Sequence, residues 1–229
     1  MTGPLALVGG LEWSAGCDFD RGLLAAGDAD EVVVLPTAAA YEHPDRVAAV
    51  ASAWFAALGA KTRPVMAVDR RDASDQAHVA AVRAARFLYL SDGSPLHLRS
   101  VLMRSPLWDA IVAAWRQGAV LAGSGAAAMV LCDPMVDPRG GAFTVGLGLV
   151  PQIGLVPRLD SWTDDKLRRT LQLAPARLPV VGVDQRTALV RDPDGAWRTE
   201  GAGRVSVWVD GAEASLAALP TSPSAPAPP

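Results

Sequence analysis

Short, uniformly apolar runs alternate with segments of helical character along the first half of this chain, and that alternation narrows its folds more than any other feature. Pro4 to Val8 ends at Gly9-Gly10, and Glu31 to Leu35 is a β-branched run that ends at Pro36. Both read as strands buried on two faces, because a strand with one wet face would alternate polar and apolar residues. Between them Asp20 to Gly27 reads as a helix, and Arg46 to Leu58 carries apolar residues at helical spacing before Gly59. The order continues with a strand at Arg63 to Val68, a helix at Ser74 to Ala85, a strand at Phe87 to Leu90, a helix at Leu96 to Arg116, a strand at Ala119 to Ala122 and a helix that begins near Gly125. Such a series predicts an α/β fold, a mostly parallel sheet with helices on both faces. Ligands in these folds sit outside the carboxyl ends of the strands, so the loops that follow strands are where chemistry is expected.

After Gly146 the pattern changes to short strands separated by turn signals, at Leu178 to Val183, Thr187 to Val190 and Arg204 to Val209, with Asp192-Pro193-Asp194-Gly195 as a strong turn. These segments predict a strand-rich, antiparallel extension of the same sheet. The expected organisation is one domain over 1–215 and a disordered tail over 216–229. From Pro220 onward only Pro, Ser, Ala and Thr occur, a composition with nothing to bury.

Composition excludes several function classes. The formal charge of −3 and the absence of any Lys and Arg cluster interleaved with aromatics leave no field for a phosphate backbone, so nucleic acid is not an expected partner. No apolar run is long enough to span a bilayer, and the N-terminus lacks the charged start and apolar stretch of a secretory signal, which predicts a cytoplasmic protein without membrane contact. Cys17 and Cys132 form no disulfide framework, and His43, His78 and His97 are scattered, so neither a metal site nor a cofactor is expected.

The most informative stretch is Val120-Leu121-Ala122-Gly123-Ser124-Gly125-Ala126-Ala127-Ala128-Met129, an apolar strand that runs into small residues and then a helix. A nucleophile elbow has this form: the turn is tight enough to demand small neighbours, and it sets the nucleophile against backbone N–H groups that favour developing negative charge. Gly123 to Ala128 resembles, without a gap, the Gly-x-Ser-Ala-Gly-Ala segment of the dipeptidase E and cyanophycinase family of serine peptidases. Leu5 to Gly10, Val32 to Ala39, Tyr89 to Leu102 and Gly182 to Leu189 are similar to further family segments in the family order. The resemblance covers roughly residues 3 to 210 and implies the class I glutamine-amidotransferase-like, flavodoxin-like fold of that family.

Each segment that the resemblance marks as catalytic departs at the residue that does the chemistry. The nucleophile's position falls on Gly125, and the family histidine falls on Arg158 in Pro157-Arg158-Leu159-Asp160-Ser161-Trp162. The acid position falls on Gln185 in Gly182-Val183-Asp184-Gln185-Arg186-Thr187-Ala188, and the Gly-Gly-Asp-Gln loop of the oxyanion hole reads Asp92-Gly93-Ser94-Pro95. No histidine occurs beyond His97, so the base that a serine hydroxyl needs from that part of the chain is missing whatever the alignment. Glycine at an elbow also relieves the strain of about 1–3 kcal/mol that a catalytic side chain bears there.

The expectation is therefore a peptidase relative without peptidase activity, which binds a small peptide or acidic small molecule through Gly93, Ser94, Ser124, Ala126 and Arg158, serves as a noncatalytic subunit, or pairs as a homodimer. An arginine at 158 suits a carboxylate, and it equally suits a surface pair with Asp160. The rival expectation is an active hydrolase in which the elbow shifts by one residue, with Ser124 as nucleophile and His97 as base; otherwise Ser124 caps the following helix and His97 lies on a helix surface. Asp137 lies near the triad acid that the resemblance implies, and it is also an ordinary turn starter before Pro138. Cys132, Trp108 and Trp115 read as core, while Trp13 and Trp162 are candidates to line a pocket.

Overall fold

Alternate side chains of the central strands feed two separate cores, which is why those strands read as continuous apolar runs. A computed structural model describes residues 2–139 and 141–221. Its parallel strands are β1 (Leu5–Val8), β2 (Glu31–Leu35), β3 (Lys61–Pro64), β4 (Phe87–Leu90) and β5 (Val120–Ser124), side by side in the order β1-β5-β4-β2-β3. Leu5, Leu7, Leu88, Leu90 and Leu121 point into one core, and Ala6, Val8, Phe87, Tyr89, Val120 and Ala122 into the other. The edge strand β3 is Lys-Thr-Arg-Pro, largely exposed and closed by a proline, a composition that discourages further pairing.

Two helices, α1 (Phe19–Gly27) and α2 (Pro44–Ala57), cover one face through Phe19, Leu23, Ala51 and Phe55. The other face is covered by α3 (Gln76–Arg83), α4 (Pro95–Leu102), α5 (Pro106–Arg116) and α6 (Ala126–Leu131). Trp108 and Trp115 belong to that core, as the helical spacing predicts. The helix expected over 96–116 is broken: Arg104 has φ +54°, and the Ser105 hydroxyl accepts the Trp108 N–H to begin α5 at Pro106. A residue before proline avoids the α region and suits a cap, so a Ser-Pro pair inside an apolar periodicity is a boundary. The strand expected at 63–68 lies at 61–64 instead: after Val65 donates to Val34 O, β2 ends at Leu35, and the N–H groups of Ala67 and Val68 turn back to Val65 O and Met66 O.

The C-terminal part corrects the expectation of a single extended sheet. Strands β6 (Gly154–Pro157), β7 (Val180–Val183), β8 (Thr187–Arg191), β9 (Trp197–Gly201), β10 (Val205–Val209) and β11 (Ala212–Ala214) divide between two sheets. β8 joins the edge of β1 antiparallel and β9 follows it, whereas β6-β7-β10-β11 form a sheet of their own. The chain changes sheet at Asp184-Gln185-Arg186, where Arg186 has φ +55° and the Asp184 carboxylate and Thr187 hydroxyl accept the N–H groups of Arg204 and Gly203. One further helix, α7 (Asp164–Leu173), lay hidden in the sequence because half its residues are charged and only Thr170 is buried.

Residues 216–221, expected to belong to a disordered tail, are instead packed against the fold. Leu219 is buried, Pro220 accepts the Trp197 indole N–H at 2.9 Å, and Thr221 accepts from the buried Arg191 guanidinium. Residues 222–229 lie outside the described residues. Among the described residues no helix is long and apolar enough to cross a membrane.

Candidate functional site

The carboxyl ends of β1, β4 and β5 bring three loops together, and Gly125 sits at their centre. It joins β5 to α6 with φ +50° and ψ −107°, a conformation for which glycine is suited, and its N–H donates to Val8 O at 2.9 Å. Gly123 is tight in its own right, since a Cβ there would lie 2.9 Å from Leu131 Cδ1 and 3.2 Å from Ala128 N. A Cβ at Gly125 would meet something else: it would lie 2.1 Å from Cγ of Asp92, well inside van der Waals contact.

Asp92 thus fills the space into which a side chain at 125 would project. Its Oδ1 accepts the N–H of Gly93 at 2.7 Å and that of Ala126 at 2.8 Å, and its Oδ2 is paired with the Arg158 guanidinium. The Asp92 carboxylate, rather than the Ser124 hydroxyl, caps α6. Ser124 is wholly buried in β5 and donates to Glu12 Oε2 at 2.7 Å, while Glu12 Oε1 accepts the Asp92 N–H at 2.9 Å. Burial pushes the Glu12 carboxyl above its ordinary range, with the nearby Asp92 charge adding to the rise and the backbone and Ser124 hydrogen bonds opposing it.

Arg158 reaches this place from the end of β6, where φ +53° turns it back and its N–H donates to Gly9 O at 2.8 Å. Its stem crosses Gly10, at which a Cβ would lie 2.8 Å from Arg158 Nε, so a glycine there lets the guanidinium lie across the end of β1. Asp160 is not its partner; that carboxylate accepts the Gln185 N–H at 3.0 Å. Gly93, Gly125, Ala126 and Arg158 line one cleft of about 370 Å³, together with Met129, Trp162 and Lys166. A second cavity of about 390 Å³, lined by Glu12, Glu42 and Arg46, lies across the Asp92–Arg158 pair and shares Asp92, Gly93 and Arg158 with the first.

Other expected site residues lie elsewhere or do other work. His97 does not meet Ser124: its Nε2 is 2.8 Å from Val68 O, and its ring stands edge-on to Tyr41 with centroids 4.9 Å apart. Ser94 accepts the His97 N–H as the cap of α4. Gln185 lies in the turn between β7 and β8, outside the residues that line either cavity. Asp137 is held by Arg139 at 2.7 Å, a hydrogen bond that pulls its carboxyl down to about 2. The Cys132 thiol, buried against Ala128 O, is pushed up by desolvation and is core. Trp162 lies in the cleft with Lys166 Nζ 3.8 Å from its ring, and Trp13, though largely buried, lines the second cavity.

Two participants escape a reading of the sequence: Asp92, visible there only as a lost glycine, and Glu12. The signal for Glu12 was an acid placed directly after β1 in Gly9-Gly10-Leu11-Glu12-Trp13, at the end of a strand where ligands are expected. Behind them Asp20 is wholly buried, with Trp54 Nε1 donating to one oxygen at 2.9 Å and no partner for the other among the described residues. Burial pushes its carboxyl up to about 8.

Comparisons with known proteins identify the family. The model of the family described as Peptidase family S51 matches residues 21–198. Cyanophycinases of Synechococcus elongatus and of Thermosynechococcus vestitus are each 26% identical over 195 residues, which is 80% of this chain and 60% of theirs. The chain therefore spans 60% of the length of these relatives. Among solved structures, a peptidase from an acI-B1 Actinobacterium superimposes with a TM-score of 0.83 at 27% identity over 93% of both chains. A putative peptidase E protein from Listeria monocytogenes EGD-e, at TM-score 0.70 and 14% identity over 89% of this chain and 100% of its own, shares the fold. Most of the chain, with Asp92, Gly125, Arg158 and Gln185 inside the matched span, belongs to peptidase family S51.

Proposed function

We propose that this chain is a noncatalytic member of the family that binds a small acidic molecule or peptide in the cleft beside Arg158. One observation carries the reading: the Asp92 carboxylate occupies the space of a side chain at 125 and takes the Gly93 and Ala126 N–H groups for itself. Amide hydrolysis by a serine needs a nucleophile, a base to take its proton, and unoccupied donors for the oxyanion that develops. Gly125 supplies no nucleophile, and a guanidinium at 158 offers N–H donors and no acceptor with which to take a proton. The donors beside the elbow are already engaged. What is left is a cleft with Arg158, Lys166 and the face of Trp162, which suits an anionic ligand.

A hydrolase acting through Ser124 has one observation in its favour, the 2.7 Å hydrogen bond to Glu12, which would make Glu12 rather than His97 the base. The complete burial of Ser124 opposes it. Intact-mass measurement after incubation with a fluorophosphonate tests both readings on wild type, Ser124→Ala and Gly125→Ser. No adduct is expected on wild type; an adduct that Ser124→Ala abolishes would replace the noncatalytic reading with the hydrolase.

A further inference from the structure

Among the described residues lining the cleft, Asp92 is the only acidic side chain, and Arg158 and Lys166 are the only cations. Arg158, the Gly93 N–H and the Ala126 N–H come from separate segments and converge on the one Asp92 carboxylate. A guanidinium and two amides around one carboxylate make a receptor for that group, with charge assistance and fixed geometry. Its present occupant belongs to the chain itself. Lys166 forms no ion pair among the described residues; its Nζ lies 3.8 Å from the centre of the Trp162 ring, open to an anion in the cleft.

Resting on the noncatalytic reading above, we infer that the cleft takes a small dicarboxylate by exchange. One ligand carboxylate replaces that of Asp92 on Arg158 and the two backbone N–H groups, the second reaches Lys166, and the carbon chain between them lies along Met129 and Trp162. Asp92 is then an internal competitor that sets both affinity and selectivity. When displaced it must turn toward the neighbouring cavity, where Glu12 and Glu42 already concentrate negative charge and only Arg46 is added as a cation. That cost holds the wild-type affinity down, because a ligand binds in proportion to the fraction of molecules in the open arrangement.

Calorimetric titration of the full chain with succinate, butyrate and neutral succinamide tests the exchange. Asp92→Gly, which removes the competitor and leaves its space empty, is expected to bind succinate roughly tenfold or more tightly than wild type. Butyrate should gain by a similar factor but bind more weakly than succinate to either protein, succinamide should not bind, and adding Lys166→Met to Asp92→Gly should bring succinate down to the level of butyrate. Asp92→Asn keeps the hydrogen-bonding shape without the charge; it should show a smaller gain and takes over as the deciding variant where the glycine variant does not fold. The exchange is overturned when the deciding variant is folded by circular dichroism and binds succinate no more tightly than wild type. Equal affinity of Asp92→Gly for butyrate and succinate would overturn the dicarboxylate class. Neither failure touches the fluorophosphonate result, and an adduct there would overturn the noncatalytic reading without moving these affinities, so the two fail separately.

Discussion

Asp92 and Asp20 both neighbour Glu12, and the protein offers the same side chain very different partners in the two places. Asp92, 15% exposed at the head of the sheet, has two N–H donors on one oxygen and a guanidinium on the other. Asp20, wholly enclosed in the second core, has a single indole donor and an oxygen with no partner among the described residues. Desolvation with so few partners favours the neutral acid, and burial pushes the Asp20 carboxyl up to about 8. Burial alone therefore does not mark a working carboxylate, and the count of donors that converge on it is the better guide.

The largest expected effect breaks the Asp20 half of this comparison. Its folded pKa of about 8 lies above the ordinary carboxyl value near 3.8, so the folded state holds the proton more tightly than the unfolded chain. Stability from this group is greatest below pH 4, falls as pH rises between about 4 and 8, and is level above that. Urea denaturation across that range should show Asp20→Asn gaining on wild type as pH rises, by an amount on the order of several kcal/mol at pH 9. Equal pH slopes for the two proteins would show that Asp20 is ionised in the fold.

Next in size is Gly125→Ser, in which the new Cβ overlaps the Asp92 carboxylate. It should destabilise by about 2–4 kcal/mol, and the double variant Asp92→Gly with Gly125→Ser should recover part of that loss, a coupling visible in a denaturation cycle. Arg158→Ala should cost about 1 kcal/mol, since the pair is partly exposed and Asp92 keeps its two N–H donors, and raising the salt concentration should shrink the difference from wild type. Ser124→Ala should cost less again, roughly 0.5–1 kcal/mol, by removing one of the hydrogen bonds to Glu12. A loss as large as that of Gly125→Ser would instead mean that Glu12 depends on the serine more than Asp92 depends on its arginine.

The parallel half of the fold was legible because burial on both faces of β1, β2, β4 and β5 leaves uninterrupted apolar runs. α7 was not, because a helix that buries one threonine needs no apolar stripe, and the assignment of β7 and β10 to their own sheet was not, because a local pattern does not say which neighbour a strand will find. At the site, Gly125 and Arg158 stood out one by one as departures from a motif. Their meeting on Asp92 was invisible, since the overlap of a missing side chain with a carboxylate from another loop exists only in three dimensions. Residues 216–221 were misjudged for a related reason: the composition after Pro220 says nothing of Leu216 to Leu219, and Leu219 enters the main core while the Pro220 and Thr221 carbonyls accept from Trp197 and Arg191.

The overlap at Gly125 also acts as a ratchet. A serine at 125 and the Asp92 carboxylate in its present position cannot share that space, so restoring an elbow nucleophile requires either that Asp92 turn away from its N–H donors or that a second loop, distant in sequence, change with it. Taking the serine first passes through a protein with a steric collision, and losing the aspartate first passes through one whose Arg158 has no resident partner.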